Sequence, residues 1–437
     1  MKPGPPLDEW IATRLGLAGH LTREALETHQ LSRLRTSVAW AQQHSPFYRR
    51  QLAEVMPEQL TSLTELQNLP FTLPDDLRRN QPSLLCVSQS QISRVVTLET
   101  SGTSGPAKRL FFTEEEQAAC VDFFQHGMSL LTQRGDRVLI LFPCARPGSI
   151  GTLLASAVTR LGAIPMAVGP ICDMAATLAL IAREPPDVIA GTPGQLRSLL
   201  RCAPVNTRVA RVLLSADQVA PQLCQELKQT WNCDVFEHYG MTEMGLGGGV
   251  DCAAHQGYHL READLLFEII DPQSGRTLAA GQSGEIVVTT LTRRGMPLIR
   301  YRTGDISRRL PSGCGCGSVL QRLAPLEQRV GSAIMLAPNA MLTMTELDQA
   351  LFADPEISDC CATLRRGPPD TLDIVLAPST RASTPRCTLL ARARLALERN
   401  PAIVRAEADT GLCLRLELAM GPLCQPGPKR VIRTETL

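Results

Sequence analysis

The first part of the chain has the hydrophobic spacing of helices. Between Asp8 and about Met56, apolar side chains recur every three or four positions, as at Leu31, Leu34, Val38 and Ala41. Pro46 can begin a helix but cannot sit inside one, because it has no N–H to donate. We therefore predict consecutive helices in this region, with a break next to Pro46.

From Val95 onward, short β-rich runs alternate with helical stretches. The runs are Val95–Leu98, Val138–Phe142, Ala163–Val168, Val188–Ala190, Val212–Leu214 and Val235–Glu237. Strands separated by helices indicate βαβ units with a mainly parallel sheet. Asp264–Ile270 and Gly284–Thr290 flank turn residues instead, and we predict an antiparallel, β-rich subdomain there.

The pattern changes again after Arg329. Strand candidates are near Ile334 and Ala362 and at Leu372–Val375 and Cys413–Leu418, with helices at Thr345–Phe352 and Leu389–Arg399. A chain of 437 residues is too long for one hydrophobic core. We predict a large N-terminal domain of residues 1–329 and a small α+β domain of residues 330–437.

Composition narrows the class of protein. With 44% hydrophobic and 20% charged residues the chain can bury a core, and a net charge of +1 gives no reason to expect nucleic acid or an anionic membrane as a partner. No apolar run is long enough to span a bilayer, and the start of the chain is unlike a signal peptide. Fifteen cysteines in this length suit buried thiols in a reducing compartment. We therefore predict a cytoplasmic protein.

The most informative stretch is a loop rich in hydroxyl groups and glycine. It runs Thr100-Ser101-Gly102-Thr103-Ser104-Gly105-Pro106-Ala107-Lys108, directly after the run Val95–Leu98. Such a loop can turn backbone N–H groups and hydroxyls toward a polyphosphate. It has no Walker A spacing, and taken alone it could equally be a polar surface loop.

Two further motifs change that balance. Tyr239-Gly240-Met241-Thr242-Glu243 and Tyr301-Arg302-Thr303-Gly304-Asp305 each follow a β-rich run. With the first loop, they resemble the signatures of the AMP-forming adenylating superfamily in the correct order. Ser45-Pro46-Phe47-Tyr48-Arg49 and Leu69-Pro70-Phe71-Thr72-Leu73 resemble segments of its phenylacetate–CoA ligase family. The resemblance is strong to about Arg329 and weaker beyond.

This resemblance implies an α/β fold with a large adenylating domain and a small mobile C-terminal lid. It also implies an ATP-dependent, AMP-forming ligase that uses Mg²⁺ and coenzyme A. The implied nucleotide contacts are Thr100, Ser101, Gly102, Thr103, Ser104, Gly105 and Lys108 for the β- and γ-phosphates, Thr242 for the α-phosphate, Glu243 for Mg²⁺, Tyr239 and Gly240 for adenine, Ser215, Ala216 and Asp217 for the adenine edge, and Asp305 for the ribose. Arg329 matches the hinge arginine.

The resemblance also places the acid. The segment Arg146–Gly151 corresponds to one wall of the acid pocket, while His238 and Met241–Gly249 would line the other. Small residues in the first segment leave room for a flat ligand, although they would suit a helix start as well. An aryl or arylacetic acid is therefore expected, and the individual acid is not specified.

The C-terminal end departs from the family pattern. The family places a catalytic lysine in a Gly-Lys-x-x-Arg context, and here Lys429 is the available lysine. If Arg430 is aligned with the family arginine, the lysine position falls on Gly427, so Lys429 is either the adenylation lysine or a solvated tail residue. In addition, Ala337-Pro338 replaces an Arg-Gly pair expected near the pantetheine tunnel, which weakens the expectation of CoA.

A set of cysteine and histidine residues suggests a structural zinc site. Cys314-Gly315-Cys316 is a close pair of ligands, and Cys252 with a histidine would complete four. In relatives with this pattern the histidine follows Gly-x, which favours His259 over His255. The alternative is that these are unliganded side chains on loops.

Three functions remain open at this point. The first is an acid–CoA ligase that makes an acyl adenylate and then a thioester. The second passes the acyl group to a carrier protein or an amine, and the third is a nucleotide-binding relic without turnover. The small-molecule partners are the acid, ATP and CoA, and the sequence leaves open whether the chain is a monomer or a homodimer.

Overall fold

A computed structural model of the chain describes residues 5–98, 107–204, 206–419, 423 and 430–436. The N-terminal region is helical, as predicted, with α1 (Pro6–Arg14), α2 (Arg23–His44), α3 (Pro46–Gln51) and α4 (Pro74–Arg79). Ser45 ends α2, and its hydroxyl accepts a hydrogen bond from the N–H of Tyr48 at 3.2 Å. Pro46 then occupies the first helical position, where a missing N–H costs nothing.

An eight-stranded sheet forms the centre of the large part of the chain, which extends to Arg329. Its strands are β3 (Arg137–Ile140), β4 (Ile164–Ala167), β5 (Val188–Gly191), β6 (Arg211–Ser215), β7 (Asp234–Tyr239), β8 (Gly249–Val250), β9 (Tyr258–Leu260) and β13 (Arg322–Leu323). They lie in the order β13-β9-β8-β7-β6-β5-β3-β4, parallel from β3 to β7 and antiparallel beyond β7. The predicted parallel sheet is therefore present, with an antiparallel edge.

Five helices accompany the parallel strands: α5 (Glu114–Met128), α6 (Ile150–Arg160), α7 (Met174–Arg183), α8 (Pro193–Cys202) and α9 (Pro221–Trp231). Alternation along the strands divides the apolar side chains between two cores. Leu213 and Phe236 join the core that contains Phe123 of α5, whereas Val212 and Val235 join the core that contains Trp231 of α9. Each face of the sheet is thus covered.

Two antiparallel sheets complete the large part. The first pairs β1 (Arg94–Leu98) with β2 (Lys108–Phe112), and the second joins β10 (Leu265–Ile270), β11 (Ser283–Thr290), β12 (Tyr301–Arg308) and β14 (Gln328–Arg329). The predicted β-rich region is therefore a separate sheet. The strand that starts at Arg94 differs from the prediction, because it forms a hairpin outside the parallel sheet, with Leu98 opposite Lys108.

The region after Arg329 has a core of its own. Its elements are β15 (Ile334–Ala337), β16 (Ala340–Leu342), α10 (Met344–Leu351), β17 (Ile357–Arg366), β18 (Thr371–Pro378), α11 (Arg386–Leu397), α12 (Pro401–Thr410), β19 (Cys413–Leu418) and β20 (Ile432–Thr436). Four of the strands form a sheet in the order β19-β18-β17-β20. The core cluster of this region extends from Leu336 to Ile432. The predicted strands and helices are present, and β16, α12 and β20 are additional.

This region contacts α8 through reciprocal hydrogen bonds. The guanidinium of Arg201 donates to the carbonyl oxygens of Phe352 and Asp354 at 2.8 and 2.9 Å. In return, the hydroxyl of Ser379 donates to the carbonyl oxygen of Arg201 at 2.6 Å. These bonds satisfy backbone carbonyls at helix ends that the helices leave without partners. Within the described ranges, every helix is too short or too polar to cross a bilayer.

Candidate functional site

A buried carboxylate lies at the centre of the first side-chain group. Glu243 is 3% exposed on a short 3₁₀ turn, Thr242–Met244, that follows β7. Its Oε1 is 2.7 Å from Nζ of Lys108 and accepts a hydrogen bond from the hydroxyl of Tyr301 at 3.2 Å. Three motifs that are far apart in the sequence meet here. Burial, followed by the negative charge of Glu243, raises the pKa of Tyr301 well above its usual value.

A buried arginine connects the backbone of this group to a neighbouring strand. Arg293 donates from Nη1 to the carbonyl oxygen of Glu243 at 2.7 Å and from Nη2 to that of Phe111 at 2.9 Å. Its guanidinium also lies 4.7 Å from the centre of the Phe112 ring. Arg293 therefore ties the Glu243 turn to β2, on which Lys108 lies. Sequence reasoning missed this residue, which belongs to none of the motifs.

The second group surrounds another buried carboxylate. Asp305 is 3% exposed on β12 and accepts a hydrogen bond at Oδ2 from the hydroxyl of Tyr239 at 3.1 Å. Arg329, directly opposite on β14, places Nε 3.3 Å from Oδ1. Burial alone would lower the pKa of Arg329. The negative charges of Asp305 and Glu243 outweigh burial and raise this pKa. The residue predicted to contact adenine (Tyr239), the residue predicted to bind the ribose (Asp305) and the predicted hinge arginine (Arg329) thus share one network of polar contacts.

A glycine is required at position 240, between Tyr239 of the second group and Glu243 of the first. A Cβ on Gly240 would collide with the carbonyl oxygen of Leu246 and would lie 2.8 Å from Cε1 of His238. Any larger residue would therefore displace the turn that carries Thr242 and Glu243. This explains the glycine of the Tyr239–Glu243 motif in physical terms.

The end of β6 carries Ser215, Ala216 and Asp217. Ala216 has a φ of 72°, a left-handed conformation that is uncommon for a residue with a side chain. Ser215 turns its hydroxyl toward His238, with Oγ 2.7 Å from Nδ1. Asp217 accepts a hydrogen bond at Oδ2 from the backbone N–H of Arg430 at 2.9 Å, which connects this loop to the C-terminal region.

Arg430 is itself held firmly. Its guanidinium bonds to Asp348 at 2.9 Å, to Asp359 and to the carbonyl oxygen of Cys360 at 3.0 Å. Burial alone would lower the pKa of Arg430. The charge of Asp348 outweighs burial and raises this pKa well above the usual value. The six loop residues Thr100, Ser101, Gly102, Thr103, Ser104 and Gly105, and also Lys429 next to Arg430, lie outside the described residues.

A narrow apolar cavity opens beside β7. It is lined by Phe123, Phe124, Gly127, Met128, Phe142, Ile150, Leu154, Leu213, Ser215, His238 and Val250. Its volume is about 20 Å³, room for the centre of roughly one water molecule. His238 and Ile150 belong to the two walls that the sequence suggested. On the side where we predicted residues 241–249, the lining residue is Val250, and Gly247 packs against the ring of Phe123.

The aromatic lining was not foreseen. Phe123 and Phe124 come from α5, a helix that sequence reasoning did not assign to the pocket, and their rings are 6.2 and 6.0 Å from that of His238. Thr113 caps this helix by accepting a hydrogen bond from the N–H of Glu116, so its start is fixed. Adjacent phenylalanines on an amphipathic helix are the signal that could have indicated a pocket.

A third group contains the predicted metal ligands. One donor atom from each of Cys252, His259, Cys314 and Cys316 lies within 4.8 Å of the others. The Sγ atoms of Cys252 and Cys314 are 3.7 Å apart, and Sγ of Cys316 is 3.4 Å from Nε2 of His259. With Zn–S bonds of about 2.3 Å, the edge of a tetrahedron is about 3.8 Å, so the donor set fits zinc.

The same geometry separates the two candidate histidines. Nδ1 of His255 is 2.5 Å from Oδ2 of Asp251, whereas His259 faces the cysteines. Burial, followed by the charge of Arg322, lowers the pKa of His259 to about 4, so its ring is neutral and able to bind a metal. The cluster therefore favours His259.

Comparison with known proteins supports the family resemblance. The AMP-binding enzyme family matches residues 92–292. Phenylacetate-coenzyme A ligase of Pseudomonas putida is 28% identical over 351 residues, 77% of each chain, and that of Escherichia coli K12 is 28% identical over 335 residues, 72% of this chain and 73% of the relative.

Solved structures show the same fold. The crystal structure of 2-hydroxyisobutyryl-CoA ligase in the postadenylation state, with 2-HIB-AMP, has a TM-score of 0.73 at 22% identity and covers 94% of this chain and 89% of that one. Its structure with 2-HIB-AMP and CoA in the thioesterification state has a TM-score of 0.67 at 22% identity, over 95% and 91%. The chain therefore carries an AMP-binding enzyme region in residues 92–292 and is similar over most of its length to phenylacetate–CoA ligases, which supports an enzyme of the acid–thiol ligase class.

Proposed function

We propose that the protein activates an aryl or arylacetic acid with ATP and transfers the acyl group to coenzyme A. In the first step a carboxylate oxygen attacks the α-phosphorus, and pyrophosphate leaves. In the second step the thiol attacks the acyl carbon, AMP leaves and the thiol proton passes to solvent. The observation that carries the proposal is the meeting of Lys108, Glu243 and Tyr301 in one group, beside the group of Tyr239, Asp305 and Arg329.

The nucleotide roles follow from charge and position. Glu243 would hold Mg²⁺, which prefers oxygen ligands shared with phosphate, and Lys108 would contact the β- and γ-phosphates with residues 100–105. Mg²⁺ would offset the charge that accumulates on the leaving pyrophosphate. Asp305 and Arg329 would bind the ribose, and Tyr239 would lie against the adenine, beside residues 215–217. Thr242 would donate to the α-phosphate from the turn that carries Glu243.

The acid would enter the cavity lined by α5 and β7. Three of its lining side chains, Phe123, Phe124 and Phe142, are aromatic and can pack against a ring. Relatives at 28% identity are named for phenylacetate, which agrees with an arylacetic acid. The cavity must widen to accept a ring, and the unbranched side chain of Met128 can change rotamer to allow this.

A short branched acid is the second candidate. A cavity with room for the centre of roughly one water molecule must widen more for an aromatic ring than for a small aliphatic group. A small aliphatic acid would need less rearrangement of the lining side chains. The two classes are separated by measuring turnover with acids of increasing size.

We further propose that Cys252, His259, Cys314 and Cys316 hold structural zinc. Cys252 follows β8, His259 lies on β9, and the other two cysteines lie in the loop between β12 and β13, so a metal would join segments that are distant in the sequence. Zinc bound there would stabilise the antiparallel edge of the large sheet. No step of the reaction depends on it.

The test of the function is a panel of carboxylic acids. Pyrophosphate release is measured with ATP and Mg²⁺, with and without CoA, for aryl, arylacetic and short aliphatic acids. Pyrophosphate release that depends on the acid establishes adenylation, and formation of AMP and thioester that depends on CoA establishes the acceptor. Adenylation without thioester would point to another acceptor, such as a carrier protein or an amine. Absence of pyrophosphate with every acid would indicate a nucleotide-binding relic.

A further inference from the structure

The acid cavity contains one polar atom without a partner. Nε2 of His238 is buried, and it finds no hydrogen-bond acceptor or donor within the part of the chain that the structure describes. The other ring nitrogen, Nδ1, lies 2.7 Å from the hydroxyl of Ser215. A buried polar atom left without a hydrogen bond is destabilising, so a partner for Nε2 is expected to come from a ligand or from water.

The ring of His238 is held in a fixed orientation. Phe123 and Phe124 border it at 6.2 and 6.0 Å between ring centres, and the second contact is edge to face. Gly240 leaves space for its Cε1 atom, which a Cβ would approach to 2.8 Å. With Nδ1 bonded to Ser215 and the ring packed on two sides, Nε2 has a defined position at the cavity wall.

Water is a poor partner for this atom. A buried water usually needs two to four polar neighbours, whereas the other lining side chains are apolar apart from Ser215, whose hydroxyl already faces Nδ1. The reacting carboxylate is also a poor partner. His238 and Tyr239 are successive residues on β7 and therefore point to opposite faces, and the charged groups around Asp305 and Glu243 lie on the side of Tyr239.

We propose that His238 determines substrate specificity by hydrogen-bonding through Nε2 to a hydroxyl or amino substituent of the acid, separate from its carboxylate. This inference rests on the proposed function, because it assigns a contact inside the proposed acid pocket. Burial lowers the pKa of His238 to about 4, so the imidazole is neutral at pH 7 and one ring nitrogen donates while the other accepts. A hydroxyl substituent suits either tautomer, since it can both donate and accept.

The experiment uses pairs of acids that differ in one substituent. Benzoate, phenylacetate and isobutyrate are each compared with their hydroxy and amino derivatives, and kcat/KM is obtained from pyrophosphate release. For the wild type we expect at least one substituted acid to exceed its parent by roughly ten- to a hundredfold. In His238→Leu the ratio should fall to about one, and His238→Gln, which keeps a polar tip, should recover part of it.

Met128→Leu is the matched control, because it changes an apolar lining residue of similar volume. It should change kcat/KM for both members of a pair by the same factor. An equal factor for both members in His238→Leu, or a wild type that prefers the parent acid in every pair, overturns the inference while leaving the adenylation activity established.

Failure of the proposed function looks different. It would appear as no pyrophosphate release by the wild type with any acid. The inference is then decided by binding, from the rise in melting temperature that each acid pair causes in wild type and His238→Leu. If His238→Leu does not fold, Ser215→Ala replaces it, because loss of the hydroxyl frees the ring and should reduce the same ratio.

Discussion

Nζ of Lys108 lies 2.7 Å from Oε1 of Glu243, although the two residues are 135 positions apart in the sequence. The carboxylate is 4% exposed and the lysine side chain 15% exposed, so water screens the pair only weakly. A divalent cation bound at Glu243 would bring a second positive charge next to this lysine. Phosphate oxygens between the two cations would remove the repulsion, which links metal binding to binding of the nucleotide.

The first prediction concerns Glu243→Gln. The substitution removes the negative charge that holds Mg²⁺, and we expect kcat to fall on the order of a hundredfold, with a higher requirement for Mg²⁺. The measurement is a magnesium titration of pyrophosphate release. Glu54→Gln, an exposed change of the same type, should leave the titration unchanged. A Glu243→Gln titration that overlays the wild-type curve would exclude this role.

The second prediction concerns Asp305→Asn. The variant keeps the shape of the side chain but loses the charge that faces Arg329 at 3.3 Å and, in our proposal, two hydrogen bonds to the ribose. Charge-assisted hydrogen bonds contribute about 1.5–3 kcal/mol each, so we expect the KM for ATP to rise by at least tenfold. Asp234→Asn, at the exposed start of β7, is the matched control. Equal ATP saturation in the Asp305→Asn variant and wild type would place the nucleotide elsewhere.

The third prediction concerns zinc. Protein purified without added metal should contain about one equivalent, and Cys314→Ser should lower both the zinc content and the melting temperature. Cys387→Ser, which changes an exposed cysteine outside the cluster, should alter neither. Metal-free protein that is as stable as the metal-containing form would contradict the site.

The fourth prediction concerns the stability of the protein as pH falls. Burial lowers the pKa of His238 from 6.5 to about 4, so the unfolded chain binds a proton at this residue before the folded protein does. The resulting stabilisation is fully present above pH 6.5 and is lost between pH 6.5 and about 4. The variant His238→Leu has no imidazole to protonate, so it does not lose stability in this way as the pH falls.

Urea unfolding at several pH values measures this effect. The stability of His238→Leu relative to wild type should increase by roughly 2–3 kcal/mol between pH 7 and pH 4. Titration of all other groups is common to both proteins and cancels in the comparison. Parallel stability curves for the two proteins would show that His238 has an ordinary pKa.

The fifth prediction concerns Lys429. This residue matches the family's catalytic lysine only if the alignment of the C-terminal segment is shifted by two residues. An ammonium between the carboxylate and the α-phosphate offsets their repulsion in the transition state of adenylation. Lys429→Ala should therefore lower kcat for pyrophosphate release with little change in the KM for ATP, and should still convert a supplied acyl adenylate to thioester. Lys228→Ala, on the exposed face of α9, is the control. Unchanged pyrophosphate release would identify Lys429 as a solvated residue.

Local patterns were sufficient for much of the fold. The strands at Val188, Val212 and Val235 were predictable because each is a short apolar run between helices, and such runs must be buried on both faces. The strand at Arg94 was assigned to the wrong sheet, because an apolar run does not specify its partner. The helix α12 was missed, although Asn400 and Pro401 form a recognisable helix start.

The sequence is sufficient to identify the motifs and the chemistry they suit, because these depend on residue type and short spacing, and the family resemblance adds the four metal-ligand candidates. Which residues meet is visible only in the folded chain: Glu243 with Lys108, Asp305 with Arg329, and His238 with Phe123 and Phe124. It also revealed Arg293, whose role depends on contacts with Glu243 and Phe111. Such contacts join residues that are far apart along the chain. Their positions follow from the order of strands and the packing of helices on the sheet, which no local pattern encodes.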